Sequence, residues 1–190
     1  MKTLSAFFQN RASWPVFFLV LVIYLLFPAF LLPNAEKAIH AAAGKDVGII
    51  DLGMGFDPAA IQQQVADYGP AGRALYRHTE LTIDIAYPLT YAVFFTLLLT
   101  LAMRGLPLSD RLRQANVLPF LMWGFDMLEN ACIVWMLSAY PEQSNLAANL
   151  CAVFRLLKWL CFAAVVGLLL FLIGKRLFRS SLTSISPQSD

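Results

Sequence analysis

Five ionisable side chains, Asp84, Asp126, Glu129, Arg155 and Lys158, interrupt stretches of sequence that are otherwise strongly apolar. A charge at the middle of a membrane-spanning helix costs roughly 2.5–3.5 kcal/mol on an insertion scale, so such residues pair with one another or serve a ligand, ion or proton. Their spacing indicates which partners are within reach. Asp126, Glu129 and Asn130 stand at i, i+3 and i+4 and share one helical face, which Trp123 and Ile133 continue. Arg155 and Lys158 are likewise one turn apart on the following helix. Counted inward from the short connector between these two helices, the carboxylates and the bases reach the same depth, so cross-helix pairing is expected. Asp84, Tyr87 and Tyr91 form a third stripe, with Pro88 between them. Proline has no N–H to offer the Asp84 carbonyl, which is left for a side chain, a water or a ligand.

The chemistry of this set is acid–base and polar binding. Glu129, Asp126 and Asp84 are the candidate catalytic acids or bases, with the first two favoured and Asp84 and Tyr87 near a mouth. Arg155, Lys158, Asn130, Tyr87 and Tyr91 are the candidate ligand-binding residues, the two bases being suited to an anionic head group. Within the spans, three carboxylates against two bases leave one negative charge over. Either one carboxylate keeps its proton, or a cation, water or ligand completes the site.

The elements that must position these residues are transmembrane helices. Hydrophobic residues make up 59% of the 190 positions and charged residues 14%, against roughly 45–50% and 25% in soluble domains. A net charge of +2 with no basic arm excludes a nucleic-acid partner. Four spans are expected, over 15–32, 81–103, 117–139 and 147–173. The first is too long for the ~7–15-residue apolar core of a cleaved signal peptide. Lys2 and Arg11, then Arg104, Arg111 and Arg113, then Lys175, Arg176 and Arg179 all fall on one side of these spans, and the connector Tyr140-Pro141-Glu142-Gln143-Ser144-Asn145 carries no base. The positive-inside rule places that basic side, and both termini, in the cytoplasm.

The fold class is therefore all-α, a four-helix transmembrane bundle with a small helical cap over 33–80 between the first two spans. Within the cap, Ala35 to Ala43 is helical in propensity and glycines break 44–55. Asp57-Pro58 reads as an N-cap and first helical residue of a helix through Asp67. A last helix from near Pro70 is expected to run straight into the second span, with Glu80 carrying the acidic line toward solvent. Residues 1–179 make a single domain, and 180–190 a disordered polar tail.

Other signals are bland. Cys132, Cys151 and Cys161 lack metal-ligand spacing, and His40 and His78 read as surface residues of the cap. There is no nucleophile elbow, no zinc-protease pair and no phosphate-cradling loop, so neither a metal nor a cofactor is expected. The absence of an internal repeat argues against an inverted-repeat transporter.

Gly69-Pro70-Ala71-Gly72-Arg73-Ala74-Leu75-Tyr76, then Asp84 with Tyr87-Pro88 and Tyr91, then Asp126 with Glu129-Asn130, and finally Lys158-Trp159 resemble a group of uncharacterised four-span bacterial integral membrane proteins. The resemblance covers roughly Asp51 to Trp159. It implies a location in the bacterial cytoplasmic (inner) membrane and no particular reaction. A looser likeness, to sterol-isomerase-like membrane proteins that also bury carboxylates, does not map residue by residue. The functional expectation is an outward-opening intramembrane cavity that binds a small amphiphile, a lipid or isoprenoid-like molecule, whether or not acid–base chemistry follows. Isomerisation, hydrolysis and group transfer all stay open. The alternatives are a proton-coupled transporter or channel acting as a homo-oligomer, and a structural or assembly subunit docked on a membrane-protein partner.

Overall fold

The computed structural model describes residues 2–53 and 55–185. A short helix α1 (Lys2–Arg11) precedes the first span, α2 (Trp14–Leu26). Pro28 lacks the N–H that an α-helical turn would use there, and the helix widens into a π turn over Phe27–Leu31 before continuing as α3 (Leu32–Ala43). Gly44, at φ 71°, ends α3 in the left-handed conformation that glycine adopts without penalty. The chain then forms α4 (Pro58–Asp67), α5 (Gly69–Glu80), α6 (Ile83–Met103), α7 (Asp110–Gln114), α8 (Leu118–Ala139) and α9 (Asn145–Ile185). Four stretches, over 14–43, 69–103, 110–139 and 145–179, are long and apolar enough to cross a bilayer. The protein is an all-α, multi-pass membrane protein.

Cap residues lengthen the first two of these stretches beyond the expected spans, and residues 110–116 and 174–179, at the basic end, lengthen the last two. α8 and α9 are antiparallel neighbours, and small residues on α9 (Ala147, Ala148, Cys151, Ala152) let it lie close against Cys132, Ile133, Met136 and Leu137 of α8. α6 packs on α8, and α2 packs on α6 through stacked rings, Phe17 on Phe94 and Tyr24 on Phe94. The outward faces of α2 and α9 present Leu19, Val22, Phe30, Leu160, Leu170 and Phe171, which suit hydrocarbon chains. At the basic end, Ser5 donates to Asn116, whose amide donates in turn to Thr100, so a buried polar chain ties α1 to α6.

The cap is continuous with the bundle rather than laid upon it. Ile39, Ile50, Ile61, Val65, Tyr68 and Tyr76 share one core with the ends of α8 and α9. Asp57 accepts from the Ala59 amide at 3.0 Å and so caps α4. Gly72 lets α3 and α5 approach, because a Cβ there would stand 3.3 Å from that of Ala43.

Two details depart from the sequence reading. α5 does not run straight into α6: Thr82, at φ −128° and ψ −78°, breaks the helix, and its hydroxyl donates to the His78 carbonyl to close α5. Glu80 faces the interior, 1% exposed, because the break turns the end of α5 under the cap instead of into solvent. α9 is described as far as Ile185, and 186–190 of the expected tail lies outside the described residues.

Candidate functional site

The buried charges meet across helices at one depth. Arg155 Nε lies 2.8 Å from Glu129 Oε1, and Lys158 Nζ lies 2.7 Å from Glu129 Oε2 and 3.2 Å from Asp126 Oδ1. Both bases also reach up to the cap. Arg155 Nη1 donates to the Gly55 carbonyl at 2.6 Å, and Lys158 Nζ to that of Asp51 at 3.4 Å. Glu129 and Arg155 are 0% and 2% exposed. This part of the cluster is a fastening: three ion pairs, made by two bases whose other N–H groups reach the cap loop over the bundle.

The loop is held from the other side by tyrosines. Tyr76 donates to Asp51 Oδ1 at 2.8 Å and accepts from the Ile50 amide at 3.0 Å. Tyr68 donates to the Gly48 carbonyl at 2.8 Å. Burial pushes the Tyr68 hydroxyl well above the ordinary phenol range, so it remains a donor at any physiological pH. At the rim, Lys45 donates to Asp67 at 2.7 Å and holds that carboxyl below the usual aspartate range.

Beneath the loop is a cavity of about 210 Å³ to which every span contributes. Tyr24 comes from α2; Asp84, Tyr87, Pro88, Tyr91 and Phe95 from α6; Met122, Asp126 and Asn130 from α8; Lys158, Trp159 and Phe162 from α9; and Asp51 and Leu52 from the cap. Its wall is largely aromatic, with Tyr87 edge-on to Tyr91 at 5.5 Å between ring centres and Trp159 edge-on to Phe162 at 5.7 Å. Tyr91 donates to Asp126 Oδ2 at 2.6 Å, so that carboxylate is satisfied from two helices. Asn130 Nδ2 donates to the Asp84 carbonyl at 2.8 Å, taking up the acceptor that Pro88 frees.

Among the described residues, three polar groups of this lining have no protein partner. Among the described residues no hydrogen bond or ion pair reaches the Asp84 carboxylate, although the residue is only 5% exposed. Asn130 Oδ1 and Trp159 Nε1 are buried and unbonded. An unsatisfied buried polar group costs about 1–3 kcal/mol.

The structure thus divides the residues singled out from sequence. Asp84, Asp126, Asn130, Lys158, Tyr87 and Tyr91 border the cavity, whereas Glu129 and Arg155 are sealed behind it. Arg155 directs its guanidinium to Glu129, the Gly55 carbonyl and the Cys151 sulfur, and is not among the residues that line the cavity. Sequence reasoning did not single out Asp51, Tyr24, Phe162 or Trp159 as site residues. Tyr24 had a signal, as the one residue of 15–32 with a hydrogen-bonding side chain, and Trp159 and Phe162 follow Lys158 by one and four positions. Asp51 had none, because an irregular loop carries no periodicity. No protein-family description, curated protein or solved structure matches this chain.

Proposed function

We propose that this protein binds a small amphiphile, lipid or isoprenoid-like, with its polar end in the cavity beneath the cap. The observation that carries this reading is the union, in one cavity walled by all four spans, of aromatic surface with three polar groups that have no protein partner. Ligand sites have that composition: mostly apolar walls with a few convergent polar atoms that fix orientation. A cavity of about 210 Å³ exceeds the roughly 150 Å³ that accommodates benzene. It suits a head group or a single ring, with the rest of the molecule lying among lipid chains. Acid–base chemistry at a bound molecule falls to Asp84 and Asp126, which border the cavity, rather than to Glu129, whose two oxygens are held by Arg155 and Lys158. By the positive-inside rule the cap faces away from the cytoplasm and both termini face it, and the bacterial inner membrane is the setting that the resemblance implies.

The test is native mass spectrometry of the wild-type chain in mild detergent, with extraction and identification of what it carries, beside Asp84→Asn/Trp159→Phe. A stoichiometric small molecule that is present in the wild type and lost in the variant is expected. A wild type that is empty, or a molecule that the variant keeps, would refute the assignment to this cavity.

A further inference from the structure

The charge balance of the cavity points to the chemistry of its occupant, and the argument rests on the amphiphile-binding reading above. Among the described residues, Lys158 is the only cation bordering the cavity. Its ammonium is engaged by the protein on three sides: it donates to Asp126 Oδ1 at 3.2 Å and to the Asp51 carbonyl at 3.4 Å, and lies 2.7 Å from Glu129 Oε2 as an ion pair. An anion entering the cavity would find no free cationic donor there and would face Asp51, Asp84 and Asp126 instead. Once Arg155 is paired with Glu129 and Lys158 with Asp126, the carboxylates of Asp51, Glu80 and Asp84 have no ion-pair partner among the described residues. Asp51 is compensated by the Tyr76 hydroxyl. Asp84 has no such compensation.

A second, independent observation points the same way. Asn130 Oδ1, on a residue 5% exposed, is an acceptor without a donor on the same wall. Tyr24, Tyr87 and Trp159 add aromatic surface, and aromatic rings attract organic cations through their electron-rich faces. No group of three His, Cys, Asp or Glu residues that could hold a metal ion is found among the described residues, and the aromatic lining fits an organic cation.

We propose that the buried end of the bound amphiphile is a cationic nitrogen beside Asp84 and among the rings of Tyr24, Tyr87 and Trp159: an amine, whose N–H would also meet Asn130 Oδ1, or a quaternary ammonium held by charge and ring faces alone. Trp159 Nε1, a buried donor without a partner, fits an oxygen next to the charged nitrogen, as in an amino alcohol or its ester.

The test uses the full chain in nanodiscs of neutral phosphatidylcholine, titrated with decyltrimethylammonium, decanol or decanoate. Binding is read from tryptophan fluorescence after subtraction of empty nanodiscs, with Trp159→Phe to assign the signal. Decyltrimethylammonium should bind about tenfold more tightly than decanol, the size of one desolvated cation–aromatic interaction, and decanoate more weakly than either. Asp84→Asn should abolish the preference for the cation, so that decyltrimethylammonium binds this variant no more tightly than decanol does. The wild-type series decides the matter even where that variant fails to accumulate. Equal affinity for the three probes, or a preference for decanoate, overturns the cationic assignment and leaves amphiphile binding standing. Binding of none of them overturns both. A preference that survives Asp84→Asn overturns the role given to that carboxylate.

Discussion

Replacing Glu129 by alanine should cost more stability than any other single change in the bundle, and the structure sets the size. Glu129 is fully buried, accepts from Arg155 at 2.8 Å and has Lys158 Nζ 2.7 Å from its other oxygen as an ion pair. Alanine removes both contacts and strands a guanidinium whose other acceptors are a loop carbonyl and a thiol. Breaking a buried pair in this way costs about 3–5 kcal/mol, a large share of the ~5–15 kcal/mol that holds a domain folded. Glutamine keeps an oxygen for Arg155 but turns an amide N–H₂ toward Lys158, so it should cost about 1.5–3 kcal/mol, the range for one charged hydrogen bond. Arg155→Met should cost less in the Glu129→Ala background than in the wild type, by about 0.5–3 kcal/mol of coupling. The loosened contact to Gly55 is common to both backgrounds and cancels. The assay is reversible unfolding in bicelles, by steric trapping or by titration with sodium dodecyl sulfate followed by circular dichroism. Neutral interhelical hydrogen bonds average about 0.6 kcal/mol. A cost for Glu129→Ala near that figure, equal costs for alanine and glutamine, or strict additivity with Arg155→Met would each refute the reasoning.

The Asp84 carbonyl supplies a second test. Asn130→Ala removes its donor and should cost about 1–3 kcal/mol, whereas in a Pro88→Ala background the restored N–H takes over and the cost shrinks; the same unfolding assay would expose the error if the cost stayed whole. At the cap rim, Asp67 should titrate below the ordinary aspartate range by NMR because Lys45 hydrogen-bonds its carboxylate. Its contribution to stability is then present above the unfolded-state pKa and lost as pH falls through the lowered one. Lys45→Met should return the titration to the ordinary range, and an unchanged curve would mean that Lys45 is not the cause.

How much of this was legible before folding depended on whether a feature is periodic. Hydropathy runs the length of a bilayer determined the four spans, because backbone groups in hydrocarbon must be satisfied within a helix. Asp126, Glu129 and Asn130, one turn apart, could be assigned to one face from spacing alone, and depth counted from the short α8–α9 connector matched them to Arg155 and Lys158. The Asp57-Pro58 start of α4 was equally local, since a cap is a contact between near neighbours. Tertiary structure decided what these residues are for. It turned Glu80 inward through a break at Thr82. It set the cap loop on Arg155 and Lys158, whose side chains donate to the Gly55 and Asp51 carbonyls. It also brought Tyr24, Asp51 and Trp159 to one cavity from three unconnected parts of the chain. Spacing reports which side chains share a face of one helix. Which of two neighbouring charges looks into a cavity and which into its wall depends on the packing of every helix around them, and no local pattern encodes that.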